Sequence, residues 1–182
     1  MELGEHAKSG VDIHDIAGDE VQRVARETGE VAQFMFEEHG KGVYLHKARG
    51  ENALQTSSYV GSRMQLHCTA LGKAILSQFP REQVGEIIDQ TGLPRHTANT
   101  ITNPEELFAE LDTVREQNVA FDDEEVVKGL RCVAAPVTAG DRAAAISVSG
   151  PTSRFKGDRF HETLAELIRD AANVIEVNAV QV

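Results

Sequence analysis

The stretch Leu66–Ala74 has the residue types of an anion-binding helix start. Thr69 is typical of a helix N-cap, and Gly72 keeps the first helical turn free of side-chain bulk. The backbone N–H groups of Ala70, Leu71 and Gly72 would then lack partners within the helix, and such a group of donors suits a small anion such as a carboxylate. The alternative is an ordinary capped helix in which Thr69 satisfies these donors itself.

A carboxylate, Asp122, is expected at the end of a strand. It opens the acidic run Asp122–Glu125, and Gly129 precedes the next strand-like segment. Four acids in succession are usually a solvated loop. An ionised Asp122 at a strand end is also placed to accept a hydrogen bond from a hydroxyl group of a ligand. No second acid shares its predicted face, so paired general acid–base chemistry is not supported.

The last predicted strand carries two serines, Ser147 and Ser149, on one face. On the strand before it, Leu130, Cys132 and Ala134 also share a face. If the two faces coincide, small and polar side chains replace the usual apolar filling. The result would be a compact cavity with hydroxyl groups, of the kind that binds small metabolites.

Three other functions use the same residue types. A small hydrolase or lyase would use Cys132 or Ser147 with Asp122, but the sequence has no Gly-x-Ser-x-Gly elbow and no histidine next to these residues. A zinc site would combine Asp122 and Cys132 with His67 and Cys68, although neither cysteine belongs to a Cys-x-x-Cys motif. An oligomerisation module without a ligand would have a solid core in place of the cavity.

The composition limits the partners of the chain. Its 182 residues include 29 acidic and 18 basic ones, which gives a net charge of −11. Because nucleic-acid affinity depends on lysine and arginine, this chain alone is not expected to bind nucleic acid. Its apolar runs are too short for a membrane span or a signal peptide, and two cysteines are too few for a disulfide framework. The sequence therefore predicts a cytoplasmic protein without a membrane partner.

The hydropathy pattern predicts an α+β fold in which helices cover an antiparallel sheet. Helices are predicted over residues 11–28, from Thr69, from Pro80 to Gly92, from Asn103, and over 156–180. Extended segments are predicted over residues 31–36, 43–48, 56–67, 119–122, 130–137 and 143–149. The first and last helices are expected to pack together on one face of the sheet.

The same motifs resemble those of IclR-type transcriptional regulators. The segment Val60–Ala74 resembles the family signature, and later blocks follow in the order and spacing of the family: Thr97–Thr102, Phe121–Glu125, Gly129–Val137 and Ile146–Pro151. The resemblance covers nearly the whole chain. It is to the C-terminal, effector-binding domain of the family, which implies a GAF-like fold and a non-enzymatic sensor that uses no cofactor or metal.

The resemblance also implies the binding residues and the partners. The effector, often an organic or aromatic acid, would contact the backbone at Ala70 and Leu71. It would also contact four side chains, Asp122, Cys132, Ser147 and Ser149, between apolar walls formed by Met64 and Leu130. Some family members have a smaller residue where Leu71 stands, so this leucine would change which effector fits. The family further implies a homodimer or homotetramer.

The domain organisation follows from the same resemblance. Residues 1–182 are expected to form one effector-binding domain, with 1–28 as linker and first helix and 29–182 as the core. The segment Met1–Gly4 resembles the region just after the winged helix-turn-helix of the family. The chain is therefore expected to be a fragment, and DNA would be bound only through that missing N-terminal domain.

Overall fold

The structure of the chain, a computed structural model, describes residues 2–180, with side chains for 13–138 and 140–179. Residue 1, where the resemblance to the region just after the winged helix-turn-helix begins, lies outside them. The helices are α1 (Glu2–Thr28), α2 (Ala70–Leu76), α3 (Arg81–Thr91), α4 (Pro104–Gln117) and α5 (Leu164–Val180). The strands are β1 (Val31–Glu38), β2 (Lys41–Arg49), β3 (Arg63–Gln65), β4 (Ala120–Asp123), β5 (Leu130–Ala139) and β6 (Arg142–Pro151).

The six strands form one antiparallel sheet in the order β3-β2-β1-β6-β5-β4. Helices α1 and α5 cover one face, where Phe34, Val133 and Ile146 belong to the core that they share. Helices α2, α3 and α4 cover the opposite face, where Met35 and Ala134 are buried. Neighbouring residues of one strand thus enter different cores, as the side-chain alternation of a strand requires. The predicted α+β fold with packed terminal helices is confirmed.

Capping residues act where the sequence predicts helix ends. The Asn103 side chain accepts hydrogen bonds from the N–H groups of Glu105 and Glu106 at the start of α4. Gly29, with a φ of 75°, ends α1 and donates its N–H to Ala25. A left-handed residue of this kind favours glycine because it has no Cβ. These local signals set the ends of the helices.

Four predicted boundaries are wrong. Helix α1 starts at residue 2 instead of 11, and the final helix opens with a π-helical turn, Arg159–Thr163, before α5. The segments predicted over residues 31–36 and 43–48 are longer in the structure, because the turn between β1 and β2 is only His39–Gly40, both with positive φ. The extended segment predicted over 56–67 is a strand only at Arg63–Gln65. Residues 54–62 instead form a loop that folds over the sheet.

None of the helices among the described residues has the length and hydropathy needed to cross a bilayer.

Candidate functional site

A cavity of about 450 Å³ lies between the start of α2, the sheet face that carries Ser147, and the loops after β2 and β4. Its volume falls within the usual range of about 300–1,000 Å³ for small-molecule sites. The eight residues that the family resemblance assigns to the effector contacts and the apolar walls all line it: Met64, Ala70, Leu71, Asp122, Leu130, Cys132, Ser147 and Ser149. The space that an oligomerisation module would fill with a solid core is therefore open.

Three of these side chains lie in a row across the sheet. Asp122 of β4 is paired with Cys132 of β5, and Cys132 is paired with Ser149 of β6. Two residues further along the same strands, Ala134 is paired with Ser147. The two strand faces therefore coincide as the alternation predicts, and the small side chains leave room above the sheet.

The start of α2 forms another wall of the cavity. The Thr69 hydroxyl accepts a hydrogen bond of 2.9 Å from the N–H of Gly72, so the prediction of a free donor at Gly72 is wrong. The N–H groups of Ala70 and Leu71 have no partner in the described part of the chain. Two donors at the positive end of a short helix thus remain for a ligand.

Gly72 has a structural role in this wall. A Cβ atom at Gly72 would overlap with the backbone of Leu66, the residue that leads into the turn before α2. The close approach of these two backbone segments places Ala70 and Leu71 at the cavity. The sequence predicts a first helical turn without side-chain bulk at Gly72, and the packing of this turn against Leu66 explains why a glycine is needed there.

Ser147 carries an unsatisfied hydroxyl group. The residue is 1% exposed, and its Oγ is buried without a hydrogen-bond partner among the described residues. Such a group costs about 1–3 kcal/mol of stability, so native proteins rarely keep one without a reason. Because Ser147 lines the cavity, a ligand would supply the missing partner.

Asp122 is 3% exposed, and one of its oxygens, Oδ1, accepts a hydrogen bond of 2.7 Å from the N–H of Glu125. Burial raises the pKa of Asp122 to about 7, and the negative charge of Glu125 adds to this effect. The N–H of Glu125 and the charge of Lys73 act in the opposite direction. Asp122 is therefore not simply an ionised acceptor at neutral pH, and its protonated form can donate a hydrogen bond.

A buried ion pair lies behind Asp122, and sequence reasoning missed it. The Nζ of Lys73 lies 2.5 Å from Oε1 of Glu125 and 3.0 Å from Oε1 of Glu110. Burial lowers the pKa of Lys73, but the two carboxylates outweigh burial and the pKa is raised. Lys73 therefore stays charged. The sequence does contain a signal for this ion pair, because Lys73 is a charged residue among the apolar residues of α2.

The loop after β2 closes the cavity on one side and was also missed. Lys47 donates from Nζ to the Thr56 hydroxyl over 2.8 Å and to the Ser58 carbonyl over 2.5 Å. The Gln33 amide donates to the Ser58 hydroxyl over 2.6 Å. Gln33 is paired with Ser147 across β1 and β6, so its place on the cavity face follows from the strand alternation.

The enzymatic alternative lacks a histidine base beside Cys132 in the described part of the chain, where the carboxyl group in hydrogen-bond contact with this thiol is Asp122. Burial raises the pKa of the Cys132 thiol well above its ordinary value, and the nearby charge of Asp122 raises it further. A thiol in this state is a poor nucleophile. The ring of His67 is hydrogen-bonded through Nε2 to the Pro94 carbonyl, and no imidazole contacts Cys132 in the described part of the chain.

The zinc alternative is not supported either. Among the residues that the structure describes, no three histidine, cysteine or acidic side chains are placed to hold one metal ion. His67 and Cys68 are both buried, and each has a backbone carbonyl as its partner. The His67 ring is hydrogen-bonded to Pro94, and the sulfur of Cys68 lies 3.9 Å from the carbonyl oxygen of Gln65.

A sheet covered by helices on both faces, with a polar cavity between the sheet and the start of α2, defines a class of small-molecule-binding domain. Residues 5–177 match the family described as bacterial transcriptional regulator IclR C-terminal. The chain belongs to this family, and it is an effector-binding domain. The family resemblance of the sequence is confirmed.

Relatives agree with this assignment. The chain is 38% identical over 176 residues to the HTH-type transcriptional regulator KdgR of Dickeya chrysanthemi, a match that covers 96% of the chain and 58% of that regulator. The crystal structure of the C-terminal domain of Escherichia coli KdgR has a TM-score of 0.82 and 32% identity, over 92% of this chain and 98% of that one.

One of the similar structures is a complex with an aromatic acid. It is a double mutant of the inducer-binding domain of the PobR transcription factor from Acinetobacter, in complex with 3-hydroxybenzoic acid. The TM-score is 0.79 and the identity 26%, over 89% of this chain and 96% of that one.

Proposed function

We propose that this chain senses a small organic acid for a bacterial transcription regulator and does no catalysis. The observation that carries the proposal is the buried hydroxyl of Ser147, which has no partner among the described residues and lines the same cavity as Ala70 and Leu71. Two N–H donors and a hydroxyl suit the oxygens of a carboxylate. The 3-hydroxybenzoic acid bound to the PobR domain supports this ligand class.

The remaining contacts follow from the same cavity. Asp122, Cys132 and Ser149 would contact the other end of the effector, and Met64 and Leu130 would pack against its apolar part. The raised pKa of the Cys132 thiol supports a binding role over a nucleophilic one. No residue of this site calls for a cofactor.

The proposal extends to the full-length regulator. The chain spans 58% of the length of the KdgR relative, which is named as an HTH-type regulator. DNA binding would therefore belong to another segment, in agreement with the net charge of −11 here.

Residues 1–182 would act as one domain in the cytoplasm and assemble as a homodimer or homotetramer. Sedimentation as a strict monomer at micromolar concentration would contradict that assembly.

A thermal-shift screen of small carboxylates, aldehydes and aromatic acids tests the binding function. A ligand present at 100 times its dissociation constant adds about 2.7 kcal/mol to the free energy of unfolding. We expect the substitution Ser149→Leu to fill the cavity and abolish the shift. The matched substitution Ser153→Leu, at an exposed position, should retain it. Circular dichroism verifies that both variants are folded.

Asp122→Asn provides a milder test of the same site. This variant should change the ranking of the ligands more than the fold, because the amide keeps the shape of the carboxyl group and loses its charge. Equal affinities of the original protein, Asp122→Asn and Ser149→Leu for every ligand that binds would place the site elsewhere.

A further inference from the structure

The inner end of the cavity contains more negative than positive charge. Asp122 and Glu125 are both nearly inaccessible to solvent, and the backbone N–H of Glu125 donates to Asp122. Lys73 is the cation beside them, and it already binds Glu125 and Glu110. One oxygen of Glu125, Oε2, is buried without a partner in the described part of the chain. Among the described residues, therefore, no cation forms an ion pair with Asp122 itself.

The other titratable groups around Asp122 are neutral. Tyr44 from β2, Cys68 from the turn before α2, and Cys132 from β5 are close enough to interact electrostatically with Asp122. Burial raises the pKa of each, to about 12 for Cys68. Arg63 and Lys128 line the outer part of the cavity, but both side chains are exposed to solvent, which screens their charge.

An anionic effector would add a further negative charge to this region. Two carboxylates that share a site with low dielectric constant cannot both remain ionised without a large cost, and one of them takes up a proton. Burial also raises the pKa of Glu125, but its ion pair with Lys73 opposes this effect, and the effector would be held by the N–H groups of Ala70 and Leu71. Asp122 is the carboxyl group without a cation, so it is the one that becomes protonated.

We propose that Asp122 takes up one proton from solvent when an anionic effector binds, and donates that proton as a hydrogen bond to an oxygen of the effector. This inference rests on the proposed function, because it requires an acid in the cavity. No covalent bond forms or breaks apart from the bond to this proton. Since Oδ1 accepts from the N–H of Glu125 and the Cys132 thiol also hydrogen-bonds to this carboxyl group, the proton would be carried by the second oxygen, Oδ2, and reach the ligand from there.

The electrostatic surroundings of Asp122 support this step. The pKa of Asp122 is already raised to about 7, mainly by burial. A neighbouring anion therefore needs to raise this pKa only a little further for Asp122 to be protonated at neutral pH. The oxygen that receives the hydrogen bond must be an acceptor. The site is therefore specific for acids with a second acceptor oxygen, such as an oxo group, and not for acids that present only an ammonium group there.

Calorimetry with pyruvate and 3-hydroxybenzoate, which both carry a second acceptor oxygen, measures the proton directly. Titrations in two buffers with different ionisation enthalpies give the number of protons taken up. We expect about half a proton near pH 7 and close to one near pH 8, with an affinity that falls about tenfold per pH unit above pH 7. Asp122→Asn should show no uptake and no such fall. Asp123→Asn, at the exposed neighbour, should behave as the original protein.

The outcomes separate the two proposals. Binding without proton uptake overturns this inference and leaves the proposed function intact. If none of the acids binds in this assay or in the wider screen, the proposed function fails and the inference fails with it. Carbon-13 NMR of the ligand-free domain measures the titration of the Asp122 carboxyl group without a variant or a ligand. Titration of the Asp122 carboxyl group near its ordinary value of 3.8 would also overturn the inference.

Discussion

The Nζ of Lys73 lies 2.5 Å from Oε1 of Glu125, and both side chains are almost completely withdrawn from solvent. Lys73 belongs to the first turns of α2, whereas Glu125 follows β4. The backbone of Glu125 is fixed further by the Thr100 hydroxyl, which donates to its carbonyl over 2.6 Å. Since the N–H of Glu125 holds Asp122, the ion pair joins the helix-start wall of the cavity to its carboxyl group.

Replacement of Lys73 by methionine should destabilise the domain. Methionine has nearly the same length but leaves Glu125 as a buried carboxylate without a cation. Removal of one partner of a buried ion pair typically costs about 3–5 kcal/mol. Urea denaturation of the original protein and of Lys73→Met measures the difference.

Two comparisons test this explanation. The double variant Lys73→Met with Glu125→Gln removes both charges and should recover part of the loss. Arg81→Met removes one partner of the Arg81–Glu105 pair, whose side chains are 58% and 78% exposed, and should change stability by less than about 1 kcal/mol. A Lys73→Met variant as stable as the original protein would contradict a charged pair at this position.

Asp122 should make the stability of the ligand-free domain depend on pH. Its pKa is about 7 in the folded chain and about 3.8 when unfolded, so the folded state holds the proton more tightly. The resulting stabilisation is full below about pH 4 and is lost as the pH rises through about 7. Between about pH 5 and about pH 8 the loss amounts to roughly 3 kcal/mol.

Asp122→Asn removes this dependence. Measured by urea denaturation at a series of pH values, the stability of the variant relative to the original protein should rise as the pH rises. A constant difference between the two proteins from about pH 5 to about pH 8 would show that Asp122 is ionised throughout this range. Asp123→Asn serves as the control, because that side chain is 55% exposed.

The row formed by Asp122, Cys132 and Ser149 could be predicted from the sequence because short-range rules determine it. The alternation of side chains assigns each residue to a face, and the turn at Gly140–Asp141 fixes the register of β5 against β6. Once the register is known, the paired residues must lie side by side. The caps at Thr69 and Asn103 are local in the same sense.

The partners of Lys73 and Lys47 could not be predicted in this way. Glu125 and Glu110 are 52 and 37 residues from Lys73 along the chain, and neither spacing has a local rule. The loop over the cavity is held by Lys47, whose contacts depend on a fold of residues 54–62 that has no periodic pattern. The assignment of residues 56–67 to one extended segment failed for this reason.

Gly72→Ala should damage both the fold and the site. The added Cβ would overlap with the backbone of Leu66, and overpacking of this kind costs about 1–3 kcal/mol or more. Gly85 of α3 offers a matched control, because a Cβ there meets no atom within 4 Å. Gly85→Ala should stabilise the domain by about 0.5–1 kcal/mol through helix propensity. Thermal unfolding distinguishes the two, and equal effects would rule out the close approach to Leu66.

Ser147→Ala should raise the stability of the empty domain and lower its affinity for an acid. The substitution removes a buried hydroxyl that has no partner in the described part of the chain, which should stabilise the fold by about 1 kcal/mol. A hydrogen bond to a charged ligand contributes about 1.5–3 kcal/mol, so its loss should weaken binding by roughly 10- to 100-fold.

Ser77→Ala is the control, since the buried Ser77 hydroxyl donates to the Ala74 carbonyl over 2.7 Å. That variant should lose about 1 kcal/mol of stability and keep its affinity. Urea denaturation and calorimetry give both quantities, and a Ser147→Ala variant that is less stable yet binds equally well would show that the hydroxyl serves the fold instead of the ligand.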